Sequence, residues 1–67
     1  MDKSSILTIF DTYAAFLRIT GISRQALQQW PQTLTFRQAQ QVVGCAVLIG
    51  RAVPDDILEA AKQYYLS

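Results

Sequence analysis

The chain has 67 residues, of which 51% are hydrophobic and 16% charged, with a formal net charge of +1. That composition excludes a disordered chain, which needs low hydrophobicity and high net charge. The length allows a single domain, residues 1–67, with a modest core. One cysteine, Cys45, and no histidine leave no intramolecular disulfide and no zinc site.

Gly21, Pro31, Gly50 and Pro54 punctuate the chain into five short helical pieces, so the expected fold class is all-α, a compact bundle of about five short helices. The first piece, about Ser4–Phe10, can cover one side with Ile6, Leu7, Ile9 and Phe10. The second, about Thr12–Thr20, has Thr12 as its N-cap and Gly21 as its stop, because glycine takes the left-handed conformation without strain. The third, about Ser23–Trp30, is capped by Ser23 and ended by Pro31. At about 100° per residue its faces divide. Leu27, Ala26, Trp30 and Ser23 fall on one side, and Arg24, Gln25, Gln28 and Gln29 on the other.

The fourth piece, about Thr35–Ile49, opens on Thr35. Phe36, Ala39 and Val43 are expected to point inward, away from Arg37, Gln40 and Gln41. Its second half, Cys45–Ile49, is apolar all round, which predicts central burial or a partner surface. The fifth piece, about Val53 or Pro54 to Tyr65, has Pro54 pre-set for a first turn and Asp55, Asp56 and Glu59 near the positive end of the helix dipole. Ile57, Leu58, Ala61, Tyr64 and Tyr65 make an inward stripe. No convincing strand is present.

The segment around Gly21 holds several coincidences. Gly21 makes a sharp turn, and Ile22 can plug the angle between the flanking helices. Ser23 caps the second helix, while Phe16, Leu27 and Trp30 anchor both helices inward. One arginine and three glutamines remain on the exposed face. Base edges in the major groove present paired donors and acceptors, and arginine can fork onto guanine as glutamine can onto adenine. Each good pair is worth about 1–3 kcal/mol of discrimination. The face therefore suits the reading of double-stranded DNA.

The stretch Thr12-Tyr-Ala-Ala-Phe-Leu-Arg-Ile-Thr-Gly-Ile-Ser-Arg-Gln-Ala-Leu-Gln-Gln-Trp30 resembles the helix-turn-helix of the Cro family of phage repressors, particularly its all-helical branch. The resemblance runs over Ile6–Ala52 and is carried by Gly21–Trp30. It implies a λ-repressor-like helical fold and a repressor that occupies a DNA operator. Ser23, Arg24, Gln25, Gln28 and Gln29 would then lie near the bases, and Thr12, Tyr13, Thr33 and Arg37 near phosphates. Phosphate contacts fix register and base contacts specify sequence. A dimer reading two half-sites about one helical turn apart is implied as well. Two positions depart from the pattern, since the family prefers a small residue where Leu17 stands and an apolar one where Thr20 stands.

The charge is uneven. Residues 1–40 carry Lys3, Arg18, Arg24 and Arg37 against Asp2 and Asp11, giving +2; residues 41–67 carry Arg51 and Lys62 against Asp55, Asp56 and Glu59, giving −1. The apolar excess predicts a weak homodimer. A cytoplasmic setting is expected: Cys45 suits a reducing compartment. Ile6–Phe10 is too short for a signal core, and Val42–Gly50 falls far short of the ~20 residues of a membrane span. Trp30 can stack on a base, but core packing onto Phe36 and Leu27 is the expectation. Cys45 reads as a small buried hydrophobe, and Asp55 and Asp56 as a helix start rather than a metal or acid/base pair. Tyr64, Tyr65 and Leu66 fit either a docking tip or core packing. There is no histidine base, nucleophile elbow or phosphate-binding glycine loop, so no enzyme, cofactor or small-molecule substrate is expected. A second reading is a helical protein-interaction module, such as an antitoxin, an anti-repressor or a phage accessory protein.

Overall fold

Local capping chemistry sets where the helices start. The computed structural model describes residues 1–65 in full and Leu66 as the last residue of the final helix. It contains α1 (Ser5–Phe10), α2 (Tyr13–Thr20), α3 (Arg24–Gln28), α4 (Phe36–Leu48) and α5 (Asp55–Leu66). Thr12, Ser23 and Thr35 are extended in backbone, and each hydroxyl accepts from an N–H of the turn that follows. Each such cap contributes about 1 kcal/mol. Thr35 belongs to a full capping box: the Gln38 N–H donates to its hydroxyl at 3.2 Å, and its own N–H donates to the Gln38 side chain at 3.0 Å.

Helix ends are equally local. Asp11 closes α1 with a φ of 72° and a ψ of −42°, a positive-φ conformation uncommon outside glycine. After α4 the Gly50 N–H donates to Val47 O at 3.2 Å and the Arg51 N–H to Ala46 O at 2.8 Å. These two bonds form a Schellman motif, for which Gly50 supplies a φ of 77°. Arg51 then reaches back over the end of α1, its guanidinium donating to Ile9 O at 3.4 Å and to Asp11 at 3.2 Å. The pair is largely exposed and ties two loops together more than it stabilises them.

The core is built from Ile6, Ile9 and Phe10 of α1, Phe16 of α2, Leu27 of α3, Leu34, Ala39, Val42 and Ala46 of α4 and its approach, and Ile57 of α5. Among the described residues there is no strand; Asp2 and Thr33 make a lone antiparallel bridge. Around it the Lys3 N–H donates to Gln32 O at 2.8 Å and the Leu34 N–H to Met1 O at 2.9 Å. The N-terminal residues are thereby pinned beside the loop that follows α3. No described helix is long and apolar enough to cross a membrane.

Several expected faces shift. The inward line of α4 is Ala39–Val42–Ala46, with Val43 half-buried and Phe36 exposed. Phe36 turns toward α5, its ring 5.9 Å from Tyr64 and 5.1 Å from Tyr65. Trp30 packs edge-on against Phe16 at 6.0 Å, so its ring partner is Phe16 instead of Phe36. Central burial of Cys45–Ile49 is overturned: Ala46 is buried, but Val47 is 66% and Leu48 88% exposed. Tyr64 is half-buried and its hydroxyl donates to Leu34 O, whereas Tyr65 is exposed. The Leu66 side chain lies outside the described residues.

Candidate nucleic-acid interface

The candidate site is built from α2, the turn Gly21–Ile22–Ser23, and α3. The Ala15 N–H donates to Thr12 Oγ1 at 3.0 Å and fixes the start of α2. Gly21 ends it at φ 77°, with its N–H on Leu17 O at 2.9 Å. Thr20 ties the turn together. Its hydroxyl donates to Phe16 O at 2.8 Å and accepts from the Ile22 N–H at 3.3 Å. Ile22 is half-buried and packs against the core, as a plug between the helices should. Leu17 is half-buried against the same core.

No atom lies within 4 Å of a Cβ built on Gly21, so alanine there meets no clash. The left-handed backbone alone sets the cost, about 1–2 kcal/mol. Gly21→Ala is therefore expected to lower the thermal midpoint by that equivalent. An unchanged midpoint would show that the turn does not hold its geometry in solution.

Ser23 starts α3, with the Ala26 N–H on its hydroxyl at 3.1 Å. Regular helix ends at Gln28, and tighter bonds from Gln29 to Ala26 O and from Trp30 to Leu27 O carry the chain round to Trp30. Leu27 is buried and Trp30 half-buried, so the short helix is held from one side. Ala26 is exposed, contrary to its expected inward position. In a five-residue helix the buried stripe is a single residue wide, and Leu27 fills it.

Arg24, Gln25, Gln28 and Gln29 are all exposed, with Ser23 beside them. Thr12, Thr33 and Arg37 are exposed and Tyr13 is half-buried. The structure brings Tyr13, Arg24 and Gln28 together in one cleft between α2 and α3. Gln25, Gln29 and Arg37 lie outside that cleft, and Thr33 sits at the bridge to Asp2. The cleft also contains Lys3, which sequence reasoning did not select. Lys3 arrives there through the backbone pairing of residues 1–3 with 32–34, a non-local contact with no periodic signature.

Charge is sorted in the same sense. The two ion pairs among the described residues, Arg51–Asp11 and Lys62–Glu59, account for two of the six cations. The other four, Lys3, Arg18, Arg24 and Arg37, are in the first 40 residues. Asp2 and Asp56 line a different cleft, with Ser4 and Thr8. Among the described residues no cluster of three or more metal-ligating side chains occurs, and Cys45 is a half-buried free thiol.

No protein-family model, curated protein or solved structure matches the chain. The functional reading consequently rests on the residues and their geometry.

Proposed function

We propose that this chain is a sequence-specific double-stranded DNA-binding regulator, Cro-like in kind, that represses by occupying an operator as a weak homodimer. One observation carries the reading. A short helix, capped by Ser23 and anchored by Leu27 and Trp30, presents Arg24, Gln25, Gln28 and Gln29 to solvent after a glycine turn. A rigidly held polar face of this kind fits the major groove, where donor and acceptor pairs distinguish all four base pairs. Thr12, Tyr13, Thr33 and Arg37 are the proposed phosphate contacts, which position without specifying. The four cations outside ion pairs supply the attraction to the backbone. The work is binding, with no catalytic role.

The second copy is proposed to dock on the end of α4. Val47, Leu48 and Ile49 are 66%, 88% and 43% exposed in consecutive positions, a cost in water that pairing removes. A standard interface covers about 800 Å² per partner. That is a large share of a surface of 4366 Å², so a weak dimer completed on DNA fits better than a permanent one.

Selection from random duplexes tests both parts. The expected product is a short inverted repeat whose half-sites lie about one helical turn apart. A lone half-site would contradict the dimer, and no enrichment would contradict sequence reading. The same exposed α4 end favours the second reading, a helical protein-interaction module, for which DNA binding is negligible even at low salt.

A further inference from the structure

The cleft between α2 and α3 has a mixed lining, of which Arg24 and Gln28 of the base-reading face make only a part. Lys3, Tyr13, Arg24 and Gln28 supply hydrogen-bond donors, and Leu17 and Leu27 contribute apolar floor. Two of these side chains are cations outside any ion pair, and no carboxylate lines the cleft. The volume is about 240 Å³.

The Lys3 ammonium is already partly placed. It donates to Trp30 O at 3.5 Å, and its backbone N–H is fixed on Gln32 O at 2.8 Å. An ammonium carries three protons, so two remain for another acceptor. The apolar floor beside two cations suits a group with an anionic head and an apolar flank. A phosphodiester with its deoxyribose has that form.

Resting on the DNA-binding reading above, we infer that this cleft seats one sugar–phosphate unit of the bound strand. Lys3 and Tyr13 hold the phosphate, Arg24 adds positive potential, and the half-buried Leu17 meets the sugar. The N-terminal residues are then part of the DNA-binding unit. Lys3 is a positioning contact that sets the register of α3 and does not read bases.

The test is Lys3→Gln, which keeps the backbone pairing and removes one charge. The slope of log affinity against log salt is expected to become shallower by about 0.9 on selected and unselected duplexes alike. Base preference should not change, and Lys3→Arg should restore the slope. Lys62→Gln is the control, because that charge is paired with Glu59 on α5 and lies outside the cleft; its slope should match the wild type. A slope indifferent to Lys3 while DNA is still bound overturns this inference alone. Equal losses in both variants also overturn it, since net charge would then be the cause. A chain that binds no duplex removes the DNA-binding reading and this inference together. Inorganic phosphate added instead of DNA should leave Trp30 emission unchanged. Saturation by phosphate alone would make the cleft a small-anion site and overturn the assignment to DNA.

Discussion

Phe16→Ala is expected to leave the chain without a cooperative thermal transition. The Phe16 side chain is fully buried, and its ring packs edge-on against Phe10 at 5.1 Å and Trp30 at 6.0 Å. One ring thus joins α1, α2 and the end of α3. Truncating a buried phenylalanine costs about 3–5 kcal/mol, through lost transfer energy and the cavity left behind. A core in a chain this short rarely supplies more than about 3–5 kcal/mol in total. Loss and reserve are of the same size, so folded and unfolded populations become comparable and no folded baseline remains. Calorimetry or circular dichroism against temperature checks this. A sharp transition only a few degrees below the wild type would mean that Phe16 is not the joint between the helices.

The second large effect falls on recognition and not on stability. Replacing Gln25, Gln28 and Gln29 together by alanine is expected to reduce affinity for a selected site to the level of unselected duplex. Specific binding usually exceeds non-specific binding by 10³-fold or more, on the order of 4 kcal/mol at the low end. Three lost groove contacts at about 1–3 kcal/mol each cover that difference. All three side chains are exposed, so stability should change by no more than about 0.5 kcal/mol per position. Competition binding at fixed salt, with a melting curve for the same protein, separates the two quantities. Retained site preference in a folded triple variant would move base reading off the three glutamines.

How much was legible in the sequence follows the range of each interaction. Thr12, Ser23 and Thr35 start their helices as expected, because a cap depends on atoms three residues away. Gly21 and Pro31 bracket α3 for equally local reasons. Failures occur where the decision is tertiary. Apolar spacing pointed to Phe36 and Val43, yet α4 turns Ala39, Val42 and Ala46 inward, because small side chains fit where helices approach closely and Phe36 finds the tyrosines of α5. Trp30 was inward as expected but meets Phe16, since the turn at Gly21 folds α3 back on α2. Ala26 lies outside because so short a helix has room for one buried position.

The candidate site divides along the same line. The exposed face of Arg24, Gln25, Gln28 and Gln29 is a consequence of Leu27 and Pro31, which are adjacent in sequence. Lys3 was invisible because its place in the cleft depends on residues 1–3 pairing with residues 32–34. The Val47–Ile49 segment was legible as apolar, to be buried centrally or set against a partner, but the choice between the two was not. Nothing in its own composition says that α5 packs elsewhere along α4 and leaves this end uncovered.

The most direct test of the central claim is the affinity of the intact chain for mixed-sequence duplex DNA, measured as a function of salt. The account predicts binding at low salt, with log affinity falling linearly against log salt at a slope of roughly −2 to −4 per subunit, from the cations that lack carboxylate partners. Absence of binding near 50 mM salt, about the low end of the range in which such complexes are strong, would contradict it. The turn between α2 and α3 would then be a scaffold, and the exposed end of α4 would become the surface on which to seek a protein partner.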